Sequence, residues 1–251
     1  MLDTFARQAL YPAPAVAVPS PPPSGLEEVR LDLSTGEKVT GWAYAASSLP
    51  PAAPVVVFFH GNGENLQTMA WAGLYEDLNS LGIAFLAVDF PGYGRSSGSP
   101  SEAGLMATGA AAVAWARQRQ PGRPLILCGW SLGAAVAIAT ASRHPEEVRG
   151  LIALSPWTTL EEVARLIFPG FLVKAMLRET YDSLSAAKQI RVPALVMHGE
   201  VDDLIPASQG KRIAEALGGP TRWVAVPGTG HNDLFAQRQV WTELSDFLKG
   251  F

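Results

Sequence analysis

Two patterns of apolar and polar residues alternate along this chain. Near the N-terminus, residues 28–33 and 38–46 alternate in polarity around the turn sequence 34–37, which predicts an antiparallel β-hairpin. After residue 50, short runs of continuous apolar residues recur, as is typical of parallel strands covered on both faces. We predict six such strands, at 55–59, 83–88, 125–128, 151–154, 194–197 and 223–226.

Helical patterns separate these strands. We predict helices at 66–80, 102–119, 132–143, 207–217 and 233–248. Strands that alternate with helices require right-handed crossovers, so the expected fold is α/β, with an eight-stranded, mostly parallel sheet and helices on both faces.

Two segments depart from this rhythm. Residues 157–190 hold two short helical patterns parted by Pro169-Gly170, and we expect them to form a small helical cap over the carboxyl edge of the sheet. Residues 1–26 are rich in proline between positions 11 and 23, which predicts an extended arm or linker. The α/β domain would then span 27–251.

Composition narrows the class of protein. The chain has 251 residues, 48% of them hydrophobic, which is ample for a core. A net charge of −4 with no basic cluster argues against nucleic acid or an anionic membrane surface as partner. The single cysteine, Cys128, lies in an apolar strand and is expected to be buried and inert. With no apolar run of about 18 residues and no secretory leader pattern, we expect no integral membrane segment and a cytoplasmic location.

The sequence Gly129-Trp130-Ser131-Leu132-Gly133 lies between a predicted strand and an alanine-rich predicted helix. A serine in such a strand–turn–helix context forms a nucleophile elbow, in which small flanking residues permit a sharp, strained turn. A helix start with a small residue at a packing point is the alternative. We predict that Ser131 is a catalytic nucleophile.

A serine hydroxyl needs a base to activate it, and the chain has four histidines. His231 lies in a loop between the last predicted strand and the last predicted helix, where a base can reach back to Ser131. His144 ends a helix and is expected at the surface. His60 and His198 each precede a glycine at a strand end, where a turn-stabilising role is expected.

Acidic residues after the strand at 194–197 compete to orient His231. Asp202 is the predicted triad acid and Asp203 its rival, while Glu200 is expected to be solvated. Asp233 follows the base too closely and suits an N-cap of the final helix. Asp89 is expected to brace the loop 92–98 through Arg95.

The oxyanion of an acyl-transfer intermediate needs two backbone donors. The N–H of Leu132 directly follows the nucleophile, and the N–H of Asn62 lies in a glycine-flanked loop after the third strand. We predict both as oxyanion-hole donors. A carboxylate aimed at the oxyanion would oppose catalysis, so Glu64 is expected to point away or to contact substrate.

Several motifs together resemble the α/β-hydrolase superfamily, in particular the serine hydrolase branch of Bem46-like proteins and of α/β-hydrolase-domain proteins of the depalmitoylase and monoacylglycerol-lipase type. The resemblance spans about residues 27–249. The matching motifs are His60-Gly61-Asn62-Gly63, the loop 89–98, the elbow, His198-Gly199 followed by Asp202 and Ile205-Pro206, and Gly230-His231-Asn232. In that pattern the acid is the fourth residue after the histidine, which favours Asp202. The resemblance is specific for fold and triad but not for substrate.

We therefore expect a serine hydrolase that cleaves an ester or thioester of a small to medium acyl group through an acyl-enzyme. Apolar residues of the predicted cap would line an acyl pocket, with helix packing accounting for part of them: Trp157, Leu160, Leu166, Ile167, Phe168, Phe171, Leu172 and Met176. A non-catalytic ligand-binding receptor, a serine peptidase and a perhydrolase are the alternatives. The sequence has no metal-ligand spacing and no nucleotide-binding fingerprint, so no cofactor is expected.

Overall fold

The computed structural model describes residues 10–44, 49–50, 52–171, 173 and 177–251. Its eight strands are β1 (Glu27–Asp32), β2 (Lys38–Tyr44), β3 (Val55–Phe59), β4 (Ala84–Val88), β5 (Leu125–Trp130), β6 (Val148–Leu154), β7 (Ala194–Gly199) and β8 (Thr221–Val226). They form one sheet in the order β1-β2-β4-β3-β5-β6-β7-β8. β2 runs antiparallel to β1 and β4, and the other pairs are parallel. The predicted fold class is confirmed; residues 45–46 of the predicted hairpin lie outside the described residues.

The described helices are α1 (Leu66–Trp71), α2 (Leu74–Ser80), α3 (Glu102–Arg119), α4 (Leu132–Arg143), α5 (Leu160–Ile167), α6 (Ser183–Ala187), α7 (Ala207–Ala216) and α8 (Arg238–Leu248), with a 3₁₀ turn at Leu234–Ala236. Within the described ranges, none of them combines the length and the apolar character needed to cross a bilayer.

Alternating side chains of the central strands supply two separate cores. In β3, Val57 belongs to a core shared with α3, α4 and α7, whereas Phe58 belongs to a core shared with α1, α2 and α8. Because both faces of the sheet are covered, its central strands are apolar throughout rather than alternating. Cys128 is buried in β5, as predicted, and burial raises the pKa of its thiol.

Two helix predictions need correction. Residues 66–80 form two helices rather than one, because Gly73 takes a left-handed conformation with φ of 78° between α1 and α2. Residues 233–248 begin with the 3₁₀ turn, and α8 starts only after Gln237. Asp233 therefore does not cap the final helix, and its side chain makes no capping hydrogen bond at the 3₁₀ turn.

The insert between β6 and β7 contains α5 and α6, and the segment between these two helices is tied to α3. The carboxylate of Glu102 accepts hydrogen bonds from the backbone N–H groups of Thr180 at 2.7 Å and Tyr181 at 3.0 Å. This anchor matters because Tyr181 has a positive φ of 39°, an uncommon conformation for a residue with a side chain.

The close approach of backbones at the elbow depends on two glycines. A Cβ atom placed on Gly133 would lie 2.0 Å from the carbonyl oxygen of Phe59, and one placed on Gly129 would lie 2.0 Å from the carbonyl oxygen of Gly133. These distances are far below van der Waals contact, so only glycine lets α4 pass this close to the ends of β3 and β5.

Replacing Gly133 with alanine is expected to lower the free energy of unfolding by about 1–3 kcal/mol or more, since backbone must move to admit the methyl group. Urea denaturation of the purified variant measures this. Gly63→Ala is the matched control, because a Cβ there meets no atom within 4 Å. Equal losses in the two variants would contradict the packing argument.

Candidate active site

Ser131 occupies a strained turn at the junction of β5 and α4. Its φ of 56° and ψ of −115° lie in a region that residues with side chains rarely adopt. Its N–H donates to the carbonyl of Leu154 at 2.9 Å, which holds the turn against β6. The geometry agrees with an elbow that lifts the hydroxyl above the carboxyl edge of the sheet, at the N-terminus of α4.

His231 connects Ser131 with Asp202. Its Nε2 lies 3.0 Å from Ser131 Oγ, and its Nδ1 lies 2.7 Å from Asp202 Oδ2. Ser131 and His231 are each only 5% exposed. The loops that carry the histidine and the acid are joined by a hydrogen bond of 3.1 Å from Val201 N–H to Thr229 O, which fixes their relative position.

Asp202 presents one carboxylate oxygen to backbone and the other to imidazole. Its Oδ1 accepts from the N–H groups of Leu204 at 3.0 Å and Ile205 at 2.7 Å, leaving Oδ2 aimed at His231. Asp202 is buried, whereas its rival Asp203 and the neighbouring Glu200 are exposed. The structure therefore brings Asp202, and not Asp203, into contact with the histidine.

His198 is a second imidazole on the same carboxylate. It is fully buried, and its Nε2 lies 2.7 Å from Ile205 O and 3.1 Å from Asp202 Oδ2. A carbonyl only accepts, so Nε2 carries a proton and also faces the acid as a donor. Sequence reasoning gave His198 only a turn-stabilising role; its spacing of four residues from Asp202 was the available signal.

These donors control the charge of Asp202. Burial by itself would raise the pKa of the carboxyl group, but hydrogen bonds from His198, His231 and the N–H of Ile205 outweigh that effect and hold the pKa well below its usual range. Asp202 is therefore an anion at neutral pH, as an acid that orients and stabilises an imidazolium must be.

Trp130 is a site residue that sequence reasoning missed. Its ring stacks on His231 with centroids 5.5 Å apart, and a Cβ placed on Gly61 would lie 2.8 Å from it. The indole thus fills the space between the histidine and the loop 60–65. An aromatic residue beside the elbow serine was the only signal in the sequence.

The two predicted oxyanion donors lie in the loop after β3 and at the start of α4. In the part of the chain that the structure describes, neither the N–H of Asn62 nor that of Leu132 donates to a protein acceptor. The carbonyl of Gly61, at the other end of the same peptide group as the Asn62 N–H, accepts from His60 Nδ1 at 2.7 Å. This contact agrees with the turn-stabilising role expected for His60.

Glu64 stands beside the candidate site with an unusual carboxylate. Its Oε2 is sealed from solvent and has no hydrogen-bond partner among the described residues. Burial raises the pKa of Glu64, and the N–H of Gly61 together with the neighbouring His60 and His231 opposes this only in part. Whether the side chain contacts substrate stays a prediction.

The expected contact of Asp89 with Arg95 is wrong. Arg95 pairs with Glu28 instead. Asp89 Oδ1 accepts from Leu66 N–H at 2.9 Å, and Oδ2 packs so tightly on Gly94 that a Cβ there would lie 2.1 Å away. Asp89 thus braces the loop 92–98 by direct contact with Gly94 rather than through Arg95.

The apolar residues of the insert fall into two groups. Trp157 and Leu160 are buried, whereas Leu166, Phe168 and Phe171 are more than half exposed. Leu172, Met176 and the side chain of Ile167 lie outside the described residues. The described side chains therefore do not form an enclosed acyl pocket from all eight residues. Instead, Leu166, Phe168 and Phe171 present an apolar surface to solvent.

The described residues contain no group of three or more His, Cys, Asp or Glu side chains able to hold a metal ion.

His144, which was expected at the surface, is partly exposed and lies 3.8 Å from Glu147.

Comparison with known proteins identifies the class. Residues 54–180 match the family model of the alpha/beta hydrolase fold. The uncharacterised protein Rv2307c of Mycobacterium tuberculosis is 34% identical over 232 residues, which cover 90% of this chain and 80% of the relative. The chain belongs to the α/β-hydrolase family.

The particular branch follows from further relatives. Protein bem46 of Schizosaccharomyces pombe is 27% identical over 240 residues, covering 92% of this chain and 80% of that protein. The resemblance to the Bem46-like branch is thereby confirmed. Among solved structures, the esterase Pf2001 of Pyrococcus furiosus superposes with a TM-score of 0.74 at 18% identity, covering 95% of this chain and 98% of that chain, which supports the fold.

The low pKa of Asp202 predicts how stability depends on pH. A carboxyl group whose pKa is lower in the folded protein stabilises the fold above its unfolded value of about 3.9 and loses that effect as pH falls through the folded value. The difference in unfolding free energy between the wild type and Asp202→Asn should therefore be largest near neutral pH and shrink in acid. Urea denaturation between pH 7 and pH 3 measures it, with Asp203→Asn as control. A difference that is independent of pH would contradict the assignment.

Proposed function

We propose that this protein is a serine hydrolase that cleaves an ester or thioester of a small to medium acyl group, with Ser131 as nucleophile, His231 as base and Asp202 as orienting acid. One observation carries the proposal: an unbroken line of contacts from Asp202 Oδ2 to His231 Nδ1 at 2.7 Å and from His231 Nε2 to Ser131 Oγ at 3.0 Å. The order of the three residues along the chain is that of this family.

In the first half-reaction, Ser131 Oγ would attack the acyl carbon while His231 Nε2 takes its proton. Asp202 keeps the Nδ1–H of the imidazole directed away from the serine and stabilises the imidazolium that forms. The tetrahedral intermediate then collapses, the C–O or C–S bond to the leaving group breaks, and His231 donates its proton to the departing alcohol or thiol. The product of this half-reaction is an acyl ester of Ser131.

In the second half-reaction, water would attack the acyl-enzyme with His231 again acting as base, releasing the carboxylic acid and the free serine. Both half-reactions develop negative charge on the former carbonyl oxygen. The N–H groups of Leu132 and Asn62 would bind that oxygen, and a single such donor typically contributes about 2.7–4 kcal/mol of transition-state stabilisation.

The competing functions differ in what they require of these side chains. A non-catalytic receptor has no need of a hydrogen-bonded serine, histidine and carboxylate, yet all three are present and in contact. Pf2001, whose fold this chain shares, is an esterase, and this analogy of fold favours ester substrates over peptides or peracids.

Replacing Ser131 with alanine is expected to abolish hydrolysis of p-nitrophenyl esters, with a fall in turnover of about 10⁴-fold or more, because no nucleophile remains. The variant should also lose labelling by a fluorophosphonate probe. Ser142→Ala, which alters a serine of the adjacent helix α4, controls for a general effect. Labelling and activity that survive in Ser131→Ala would overturn the nucleophile assignment, and a wild type that does not label would favour a receptor.

The turnover number kcat should distinguish the roles of the two adjacent aspartates, Asp202 and Asp203. Asp202→Asn should lower kcat by about 10⁴-fold, since the amide cannot hold the imidazole in the same tautomer, whereas exposed Asp203→Asn should leave kcat nearly unchanged. Steady-state kinetics of both variants on one ester provides the comparison. A larger loss in Asp203→Asn would exchange the two roles.

A further inference from the structure

The peptide group between Gly61 and Asn62 needs external support if its N–H is to bind an oxyanion. Glycines stand on both sides of Asn62. Gly61 packs against Trp130, but a Cβ on Gly63 would meet nothing within 4 Å, so neighbouring atoms do not restrict the backbone on the Gly63 side. A trans peptide points its N–H opposite to its C=O. The hydrogen bond of Gly61 O with His60 Nδ1 therefore fixes one end of the group.

The side chain of Asn62 is held by a second set of contacts. Tyr93 donates from its hydroxyl to Asn62 Oδ1 at 2.8 Å and lies 3.0 Å from Asn62 O. Asn62 Nδ2 donates to the carbonyl oxygen of Leu10 at 2.7 Å. Both ends of the side-chain amide are thus engaged, one by the buried Tyr93 and one by the chain ahead of β1.

The Leu10 carbonyl belongs to residues 10–18, a part of the N-terminal segment 1–26 that packs against the folded domain. We use the name arm for residues 10–18 only. Asn65 Nδ2 donates to Val16 O at 2.8 Å. A second asparagine of the loop 60–65, which we call the oxyanion loop, therefore also binds the arm. Val18 is buried, and its side chain packs against Gly94 of the loop that carries Tyr93.

The arm also reaches the insert between β6 and β7. Tyr11 is buried, and its hydroxyl lies 2.6 Å from that of Tyr181, the strained residue that Glu102 anchors. The arm therefore contacts the oxyanion loop on one side and the insert on the other. A mere linker would not have its carbonyls and a tyrosine engaged in this way.

We propose that the arm and Tyr93 are positioning elements of the oxyanion hole: they hold Asn62 so that its N–H faces the developing oxyanion. The inference rests on the proposed serine hydrolase function and extends the machinery of the site to a segment far outside the triad. Without these anchors, the backbone at Asn62 can rotate more freely. Its N–H then points toward the oxyanion for a smaller fraction of the time.

Tyr93→Phe tests the side-chain anchor and removes only a hydroxyl. Tyr75→Phe is the matched control, because Tyr75 is also buried and donates to a backbone carbonyl, that of Leu66 at 3.0 Å. We expect Tyr93→Phe to lower kcat by about tenfold or more, within the 10²–10³-fold effect of losing a whole donor, with little change in KM. Tyr75→Phe should retain wild-type kcat.

Inhibition by phenylboronic acid separates positioning from general damage. The boronate forms a tetrahedral adduct with the serine that places an oxygen in the oxyanion hole, so its inhibition constant should rise in Tyr93→Phe by a factor similar to the fall in kcat/KM. A purely structural role would lower the melting temperature and leave the inhibition constant of the folded enzyme unchanged.

The arm is tested by a chain that starts at Ala13, which lacks the Leu10 carbonyl and Tyr11, alone and combined with Asn62→Ala. If the arm acts through the Asn62 side chain, truncation should lower kcat by about tenfold in the wild-type background and have little further effect once Asn62 is alanine. Effects that multiply in the double variant would overturn the inference. If the truncated chain does not fold, Asn62→Ala compared with Tyr93→Phe decides, because Asn62→Ala removes the contact with Leu10 as well as the contact with Tyr93. Asn62→Ala should then lose more kcat and more boronate affinity than Tyr93→Phe, and equal losses would overturn the role of the arm.

The outcomes distinguish this inference from the proposed function. A wild type that neither turns over esters nor labels with a fluorophosphonate removes the serine hydrolase proposal, and the positioning role falls with it. A wild type that does both, alongside Tyr93→Phe and truncated variants of unchanged kcat and boronate affinity, overturns only the role of the arm and Tyr93.

Discussion

The close approach of backbones around Gly129 and Gly133 is the constraint on which the rest of the site depends. Gly133 lies against the carbonyl oxygens of Phe59 and His60, so α4 begins directly beside the end of β3. That contact places Ser131, the N–H of Leu132 and the loop of Asn62 in one small volume. A side chain at either glycine would separate the nucleophile from one of its two candidate oxyanion donors.

Around this contact lies a buried polar network centred on the carboxylate of Asp202. Asp202 accepts from two backbone N–H groups and faces two imidazoles, His231 and His198. Burying a carboxylate is costly unless such donors compensate, and a network of this kind fixes geometry because any rotation leaves a buried group unpaired. His198 therefore acts on the candidate site through Asp202, without reaching the serine.

A third layer consists of contacts between distant parts of the chain. Tyr11 meets Tyr181 across 170 positions, and Asn62 meets Leu10 across 52. Each tethers the chain ahead of β1 to a segment that borders the candidate site. In an α/β fold the strands are rigid while the loops at their carboxyl ends carry the chemistry, so ties of this sort decide how well those loops are held.

The elements of the fold differ in how well the sequence predicted them, and the difference has a physical reason. Apolar runs located six strands, because strands covered on both faces are rich in apolar residues, and alternating polarity located the two strands of the hairpin. The glycine pattern around Ser131 indicated the elbow, because only glycine tolerates that packing. Local signals were weaker for helix boundaries: the left-handed turn at Gly73 split a helix that periodicity had joined, and the 3₁₀ turn displaced Asp233 from its expected capping role.

The sequence by itself therefore determined the class of fold and proposed Ser131, His231 and Asp202 from their places at strand ends. Only the tertiary structure decided that Asp202 rather than Asp203 faces His231, that His198 shares its carboxylate, that Glu28 rather than Asp89 pairs with Arg95, and that the proline-rich arm grips Asn62. The reason is that strands and turns are encoded by neighbours along the chain, whereas the direction of a side chain and its partner depend on residues that are distant in sequence and meet only when the sheet has assembled.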